Sequence, residues 1–467
     1  MALGKRKHEQ QELWVATTEL PKSPGHPFYQ KLNQLLAKAQ FDEYVEKLCE
    51  PHYAGQVGRP SIPPGVYFRM LLIGHFEGIA SQRGIAWRVS DSRSLSQFLG
   101  FGATDETPDH SSLTRTHQRL PHEVHAAMFA FVLKLADEAG LISGKTVAID
   151  STTLEANAAM KTIVRRDTGE TWKEYLRRLA EEAGQKDLST AALINFDKKR
   201  ENKTVSNKEW KSSTDEEGRI ARMKDGTTHV AYKAEHVIDL KSEIVLAAEI
   251  HDADRGDAET GPESLVEAQR NLMRAGSEAN IEEAAADKGY HSAEAVATLQ
   301  ETLGIRTYIP EPKRKGKTDW TNKTPQERKA IMANRQRVKR AKGKKLQRLR
   351  SERVERSFAH VCETGGARRC WLRGKQKVSK RYLIQVAARN LATIMRKLFK
   401  MGTARGQQDL RSLILLAQFV VRAILKRLDA TPFGKSTDCE TPPRTCRRPI
   451  TCRENVILVK KRAFSTG

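Results

Sequence analysis

The hydrophobic pattern of the chain changes its period near residue 145, and this change most restricts the folds available to it. Between Val66 and Leu141, apolar residues recur at the three- and four-residue spacing of helices. After Lys145, short segments have the length and composition of strands, namely KTVAID, THVAYKAEHVIDL, SEIVLAAEIHDAD, IEEAAADKGY and IRTYIP. A helical region is therefore expected to precede a region built on a sheet.

The order of the later segments indicates the type of sheet. The first three are expected to pair as consecutive antiparallel strands, once an interruption at residues 154–227 is set aside. Helical sequences precede the fourth and the fifth segment, and a further helical stretch begins at about Arg348. This order predicts an α/β fold with a mixed five-stranded sheet and flanking helices, preceded by an all-α N-terminal domain.

The chain carries a large excess of positive charge. Its 467 residues include 81 Lys and Arg against 57 Asp and Glu, which gives a formal net charge of +24. Such an excess attracts a polyanion, most often nucleic acid, although an anionic membrane surface would also serve. The longest apolar run, LILLAQFVVRAIL, is interrupted by Gln418 and Arg422 and is too short to span a membrane. We therefore expect nucleic acid as the partner and no membrane.

The N-terminus and the cysteines indicate a cellular location. No apolar segment follows the charged start MALGKRKHEQ, so no signal peptide is predicted. The six cysteines form no series of close pairs, which is typical of reduced thiols. Cys439, Cys446 and Cys452 cluster near the C-terminus but lack the CxxC spacing of most zinc sites. These features predict a cytoplasmic, nucleoid-associated protein.

Two carboxylates end strand-like segments. Asp150 closes KTVAID, and Asp287 follows the apolar part of IEEAAAD. An Asp at either position can simply cap a turn. In the predicted sheet, however, the crossover rule makes the fourth strand parallel to the first, so both strands end at the same edge, roughly 4.8 Å apart. Because buried carboxylates need a partner, a cation shared by the two is a second interpretation.

A third carboxylate is predicted on the last helix. In RSERVERSFAHVCETGG, Glu355, Phe358, Ala359 and Cys362 share one face at helical spacing, and we expect this face against the sheet. Glu352 lies one turn earlier and is the main rival of Glu355. In a purely structural interpretation, Glu355 pairs with an arginine of its own helix.

Two Asp and one Glu suit magnesium chemistry. Two hard cations about 3.5–4 Å apart can activate a water and stabilise the leaving oxygen of a phosphodiester. Magnesium prefers oxygen ligands and is often completed by substrate phosphate. We therefore predict Asp150, Asp287 and Glu355 as catalytic residues and as ligands of two Mg²⁺ ions, for which Mn²⁺ can substitute.

Basic residues are concentrated directly before the predicted catalytic helix. Residues 313–356 hold 18 Lys or Arg against 4 Asp or Glu. A charge run can be a solvated surface, but its length and single sign favour phosphate contacts. Two short helices around Asp91 form either a helix-turn-helix or part of an ordinary helical domain. The predicted DNA contacts are Arg83, Arg88, Arg115, Lys288, Arg314, Arg337, Lys339, Arg340, Arg348, Arg350, Arg353 and Arg356.

Several motifs resemble those of DDE transposases of bacterial insertion sequences: PDHSSLTRTHQRL, VAIDSTTLEANA, YKAEHVIDL, DKGY and SERVERSFAHV. The resemblance extends from about residue 51 to residue 400 and includes a helical N-terminal domain. It implies a ribonuclease H-like fold whose Asp, Asp and Glu bind two magnesium ions. Asp150, Asp287 and Glu355 match these three positions.

The last helix departs from the pattern of related insertion-sequence enzymes. Those enzymes carry a Tyr, Arg, Glu, Lys signature, with Arg four residues before the Glu and Lys seven residues after it. Here Ser351 and Cys362 occupy these positions. Arg348, Arg350 and Arg356 are the candidates to contact phosphate instead.

For the whole chain, the resemblance implies a transposase that binds transposon ends and catalyses metal-dependent DNA cleavage and strand transfer. Its partners would be double-stranded DNA, as terminal inverted repeats and target, and further copies of itself in a homodimer or larger assembly. A catalytically inactive DNA-binding repressor and a host nuclease of the same fold stay open as alternatives. The predicted organisation is an N-terminal helical extension (1–50), a helical DNA-binding domain (51–141), a catalytic domain (142–400) with insertions at 154–227 and 311–347, and a basic C-terminal tail (401–467).

Overall fold

The computed structural model describes residues 23–54, 60–201, 206–223, 226–312 and 320–406. These residues all belong to one compact unit. Arg314, the three clustered cysteines and most of the predicted C-terminal tail lie outside the described residues.

The N-terminal region is helical, as its periodicity predicts. Its α-helices are α1 (Pro27–Lys38), α2 (Phe41–Cys49), α3 (Pro64–Glu77), α4 (Gln82–Ser90), α5 (Arg93–Phe98), α6 (His110–Arg119) and α7 (His122–Glu138). Helices α4 and α5 are the two short helices predicted around Asp91, and the Ser81 hydroxyl accepts the N–H of Gly84 to cap α4. Helices α1 and α2 are separated at Gln40, which adopts a left-handed conformation with φ of 52°.

The main sheet contains the five predicted strands and one more. The described residues form these strands, in the main sheet and outside it: β1 (Thr146–Glu155), β2 (Ile163–Arg165), β3 (Trp210–Ser212), β4 (Arg219–Arg222), β5 (Thr228–Asp239), β6 (Val245–Asp252), β7 (Glu283–Ala285) and β8 (Arg306–Tyr308). Among the described residues, the main sheet has six strands in the order β4-β5-β1-β7-β8, with β6 also paired to β5. The added strand, β4, comes from the segment set aside as an interruption, where it extends the edge of β5.

The directions of the strands agree with the prediction. β1 pairs antiparallel with β5, which in turn pairs antiparallel with β6. β7 returns parallel to β1, and β8 is parallel to β7. The sheet is therefore mixed, with its parallel part at β1, β7 and β8.

Helices cover both faces of the main sheet. The α-helices that follow β1 along the chain are α8 (Trp172–Glu182) and α9 (Thr190–Lys199) in the first insertion, then α10 (Asp257–Arg274), α11 (Ala293–Ala297), α12 (Pro325–Lys339), α13 (Ala341–Phe358) and α14 (Lys375–Phe399). Alternate residues of a strand point to opposite faces. In β5, Glu235 bonds to Ser264 of α10, whereas His236 bonds to Ser357 of α13 and Tyr382 of α14. Helix α10 therefore covers one face, and α13 and α14 cover the other.

Candidate active site at the carboxyl ends of β1 and β7

Asp150 and Asp287 lie level with each other on neighbouring parallel strands. The register of β1 and β7 pairs Ala148 with Ala285, and each Asp is two residues further along its chain. The two aspartates therefore lie beside each other, as expected, just beyond the point where the parallel pairing of β1 with β7 ends. The prediction that Asp150 ends its strand was wrong, because β1 continues to Glu155, paired with β5. Both aspartates are partly buried.

Each aspartate also caps the backbone that follows it. Asp150 accepts the N–H of Ser151 at 2.8 Å, and Asp287 accepts the N–H of Gly289 at 2.9 Å, at the start of a short 3₁₀ turn. Turn capping therefore accounts for the hydrogen bond of one oxygen in each carboxylate. The other oxygen of Asp150, Oδ2, lies 2.5 Å from Nη1 of Arg350. This ion pair links β1 to α13 and was not anticipated from the sequence.

The face of α13 that packs on the sheet differs from the predicted one. Val354, Ser357 and Phe358 are buried, but Glu355 and Ala359 are exposed. The predicted face, with Glu355 at its centre, was wrong: the buried face is rotated about the helix axis by about a quarter of a turn. Phe358 belongs to either of two apolar stripes on α13, and its ring stacks on His236 with ring centroids 4.2 Å apart. This contact orients the helix so that Val354 faces inward.

Helix α13 crosses the strands, so its two sides face opposite ends of the strands. On one side, Lys342 bonds to Glu283 at the start of β7, and Arg356 bonds to Glu243 in the turn between β5 and β6. On the other side, Gln347 donates to the carbonyl oxygen of Ala286, beside Asp287. The first side therefore faces the amino ends of β1 and β7, and the second faces their carboxyl ends.

The two rival glutamates belong to these different sides. Glu355 is spaced by four residues from Ser351 and by eight from Gln347, so it continues the side that faces the carboxyl ends. Its Oε1 accepts from the Ser351 hydroxyl at 3.3 Å. Glu352 instead accepts from Arg356 at 2.6 Å, on the side that faces the amino ends. The predicted pairing of Glu355 with an arginine of its helix is not among its contacts here.

A buried polar network lies beneath the two aspartates on the α10 face. Glu235 is fully buried and accepts from the hydroxyls of Thr260, Ser264 and Tyr290. Lys233 Nζ lies 3.3 Å from the same carboxylate. Burial raises the pKa of Glu235, but hydrogen bonds from its partners, His251 included, outweigh burial and leave the pKa below its usual value.

This network reaches the backbone next to each aspartate. Ser151, which follows Asp150, donates to Asp257 in the first turn of α10 at 3.0 Å. Tyr290, three residues after Asp287, bonds to Glu235. The first turns of α10 thus hold both strand ends from the opposite face. Charged residues in the otherwise apolar strand YKAEHVID were the sequence signal for this network.

The structure separates the predicted DNA-contacting residues into two groups. One group bonds within the molecule: Arg88 pairs with Glu77, Arg337 donates to the Thr307 carbonyl, Arg350 pairs with Asp150, and Arg353 and Arg356 pair with Glu243. The exposed group consists of Arg83, Arg115, Lys288, Lys339, Arg340 and Arg348. Within this group, Arg83 also bonds to His110, and Arg115 bonds to Ser111. Each member of the exposed group is accessible to an approaching phosphate.

Within the part of the chain that the structure describes, no group of three or more His, Cys, Asp or Glu side chains is close enough to hold a metal ion. Asp150 and Asp287 form a pair of neighbouring carboxylates, and Glu355 is not brought into one cluster with them. In the same residues, no helix is long and apolar enough to cross a membrane.

Comparisons with known families agree with this fold. The family described as "Transposase DDE domain" matches residues 143–391, which is more than half of the chain. The family described as "Transposase domain (DUF772)" matches residues 18–119. The chain therefore belongs to the DDE transposases, a family of DNA-processing enzymes that act on DNA and generally use divalent metal ions. No curated protein and no solved structure shows a significant match to it.

Proposed function

We propose that this transposase binds the ends of an insertion sequence and cleaves and joins DNA strands with Asp150, Asp287 and Glu355 as its catalytic residues. The position of Asp150 on β1, level with Asp287 just beyond the end of β7, carries the proposal. Two partly buried carboxylates at one strand edge form a natural site for positive charge.

The position of Glu355 supports its choice as the third carboxylate. Glu355 lies on the side of α13 that faces the same strand ends as the two aspartates. Glu352 is engaged by Arg356 toward the opposite edge. Bringing Glu355 to the aspartates needs a change of its side-chain rotamer, since its present partner is Ser351, or a small shift of α13.

The donor set fits a hard divalent cation, because carboxylate oxygens are the ligands that Mg²⁺ prefers. Two Mg²⁺ ions, or Mn²⁺ in their place, would supply Lewis acids for a water or 3′-hydroxyl nucleophile and for the leaving oxygen. The three carboxylates would hold them, and Arg350 would keep Asp150 oriented toward the strand edge.

Exposed basic residues surround this edge and support DNA binding. Lys288 directly follows Asp287, and Arg348 lies on α13 one residue beyond Gln347. Each phosphate that such residues neutralise should contribute a slope of about −0.9 to the dependence of log affinity on log salt concentration. Since two transposon ends must be processed together, we propose that a homodimer or larger assembly forms on DNA.

Nicking of a supercoiled plasmid that carries the element's ends, in Mn²⁺, tests the catalytic residues. Asp150→Asn, Asp287→Asn and Glu355→Gln should each lower the rate at least about 10³-fold, because each removes a charge that compensates the ions. Glu352→Gln is the matched control on the same helix and should nick at the wild-type rate. DNA binding, measured in parallel, should be retained in all four variants.

The other outcomes decide between functions. Wild-type activity in Asp150→Asn would refute the proposed site. Tight DNA binding by a wild-type protein that neither nicks DNA nor binds Mn²⁺ would indicate a repressor. Nicking of labelled ends without any strand-transfer product would indicate a nuclease.

A further inference from the structure

A large cavity lies between the N-terminal helices and the catalytic region. Its volume is about 690 Å³, within the range of about 300–1,000 Å³ typical of ligand pockets. The walls come from α4 and α6, from Leu154 of β1, from residues 366–372 and from α14. None of the residues proposed as catalytic lines it.

The charge of the cavity is one-sided. Arg83, Arg115, Arg369 and Arg381 are among the lining residues, and no Asp or Glu is among the described residues that line it. Two carboxylates lie next to lining residues without lining the cavity themselves: Glu155 is 3.8 Å from Arg369, and Asp109 is 2.8 Å from His110. Four guanidinium groups around a space without carboxylates favour an anionic ligand.

Arg381 is the strongest indication of a ligand. Arg381 is partly buried at the wall of the cavity, and its Nη2 donates to the Ile79 carbonyl at 3.3 Å. Nη1 is buried and has no hydrogen-bond partner among the described residues. Burial lowers the pKa of Arg381 to about 10. An unpaired buried cation is costly, and a bound anion would offset this cost.

The N-terminus of α4 adds to the positive potential. Helix α4 begins at Gln82 after its cap Ser81, and both residues line the cavity. The first turn of a helix carries backbone N–H groups without intrahelical partners and attracts anions. Helix α6 also begins at the cavity, at His110, but the carboxylate of Asp109 caps its first turn.

The remaining walls are apolar and aromatic. Leu154, Leu372, Val378 and Tyr382 contribute carbon surface, and Trp371 lies at the opening with 56% of its surface exposed. The guanidinium of Arg369 lies 6.0 Å from the Trp371 ring centroid, at the limit of a cation–π contact. A small inorganic anion would leave these walls exposed to water, so the ligand should also have a planar apolar part.

We infer that this cavity binds a nucleotide, with its phosphate near Arg369 and Arg381 and its base against Trp371 and the apolar wall. The nucleotide is either free or the unpaired terminal nucleotide of a DNA strand. Leu154 lies on the same face of β1 as Asp150 and four residues beyond it, about 13 Å along the strand. A strand end held in the cavity would therefore lie within a few nucleotides of the proposed catalytic edge.

The first arm of the test uses the full chain in EDTA, without DNA. Isothermal titration should show binding of 2′-deoxyadenosine 5′-monophosphate, and binding at least about tenfold weaker for deoxyadenosine and for inorganic phosphate. Trp371→Ala and Arg369→Ala should each weaken nucleotide binding about tenfold, through lost stacking and lost charge. Trp87→Ala and Arg270→Ala are matched controls, because both residues are exposed and neither lines the cavity.

The second arm compares a blunt duplex with a duplex that carries one unpaired nucleotide at its end. A preference of tenfold or more for the overhang, lost in Trp371→Ala but kept in Trp87→Ala, would identify the strand end as the ligand. Binding of the free nucleotide with the same dependence on Trp371 would identify a free nucleotide.

Binding in neither arm, or binding that is equal in Trp371→Ala and Trp87→Ala, would overturn the inference. Neither arm requires metal or cleavage. A failure here is therefore distinct from a failure of the proposed catalytic site.

Discussion

The acidic residues on the two faces of the sheet differ in how deeply they are buried and in the partners that they contact. On the α10 face, Glu235 is fully buried and accepts from three hydroxyls. On the α13 face, Asp150 lies one position away on the neighbouring strand, opposite His236, and keeps 24% of its side chain exposed. The carboxylate of Asp150 pairs with Arg350.

This difference separates residues that build the fold from residues that are available for chemistry. A buried charge with a complete set of partners contributes to a unique structure, and removing it leaves those partners unsatisfied. A partly exposed charge costs little to keep and is accessible to a ligand. Three stability measurements test this comparison.

The largest effect is expected from truncating the two acids in parallel. Glu235→Ala should lower the free energy of unfolding by about 3–5 kcal/mol, because Lys233 and His251 lose a buried partner. Asp150→Ala should change it by no more than about 1 kcal/mol, because its ion pair is partly solvated. Urea unfolding followed by circular dichroism measures both variants. Equal losses would contradict the division between the faces.

Glu249, opposite Glu235 on β6, should make stability depend on pH. Burial, with the charges of Glu267 and Glu235, raises the pKa of Glu249 to about 7. The folded state then binds a proton more tightly than the unfolded state, whose carboxyl has a pKa near the ordinary 4.5. The contribution is present below about pH 4.5 and is lost as the pH rises to 7.

Glu249→Gln tests this dependence. From pH 5 to pH 8, the free energy of unfolding should fall by up to about 2 kcal/mol less in the variant than in the wild type. Glu259→Gln is a suitable control, because Glu259 lies on the exposed side of α10, pairs with Arg255 and is not among the charges that raise the pKa of Glu249. Urea midpoints across this pH range supply the data, and parallel curves for wild type and Glu249→Gln would refute the assignment.

The smallest effect is expected at Glu352 on α13. Its ion pair with Arg356 is solvated, with 53% of the Glu352 side chain exposed. Glu352→Gln should therefore change the free energy of unfolding by less than about 0.5 kcal/mol. A loss above about 1.5 kcal/mol, measured by the same urea unfolding, would show that the exposed side of α13 carries structural charge.

Much of the framework could be predicted from the sequence. The five strands, their directions and the parallel pairing of β7 with β1 follow from apolar segments, connection lengths and crossover handedness. The rotation of α13 could not be predicted, because Phe358 fits two apolar stripes and the choice depends on His236, 122 residues earlier. The break at Gln40 likewise has no Gly or Pro to indicate it.

The sequence by itself determined the family, the order of the elements and the neighbouring positions of Asp150 and Asp287, because these depend on local pattern and chain direction. The tertiary structure decided which charged side chains pair within the molecule. Arg350 meets Asp150 across 200 residues, and Arg381 is partly buried beside a cavity formed by distant helices. Such contacts depend on how packed elements are rotated against one another, and side-chain packing across the whole core sets that rotation.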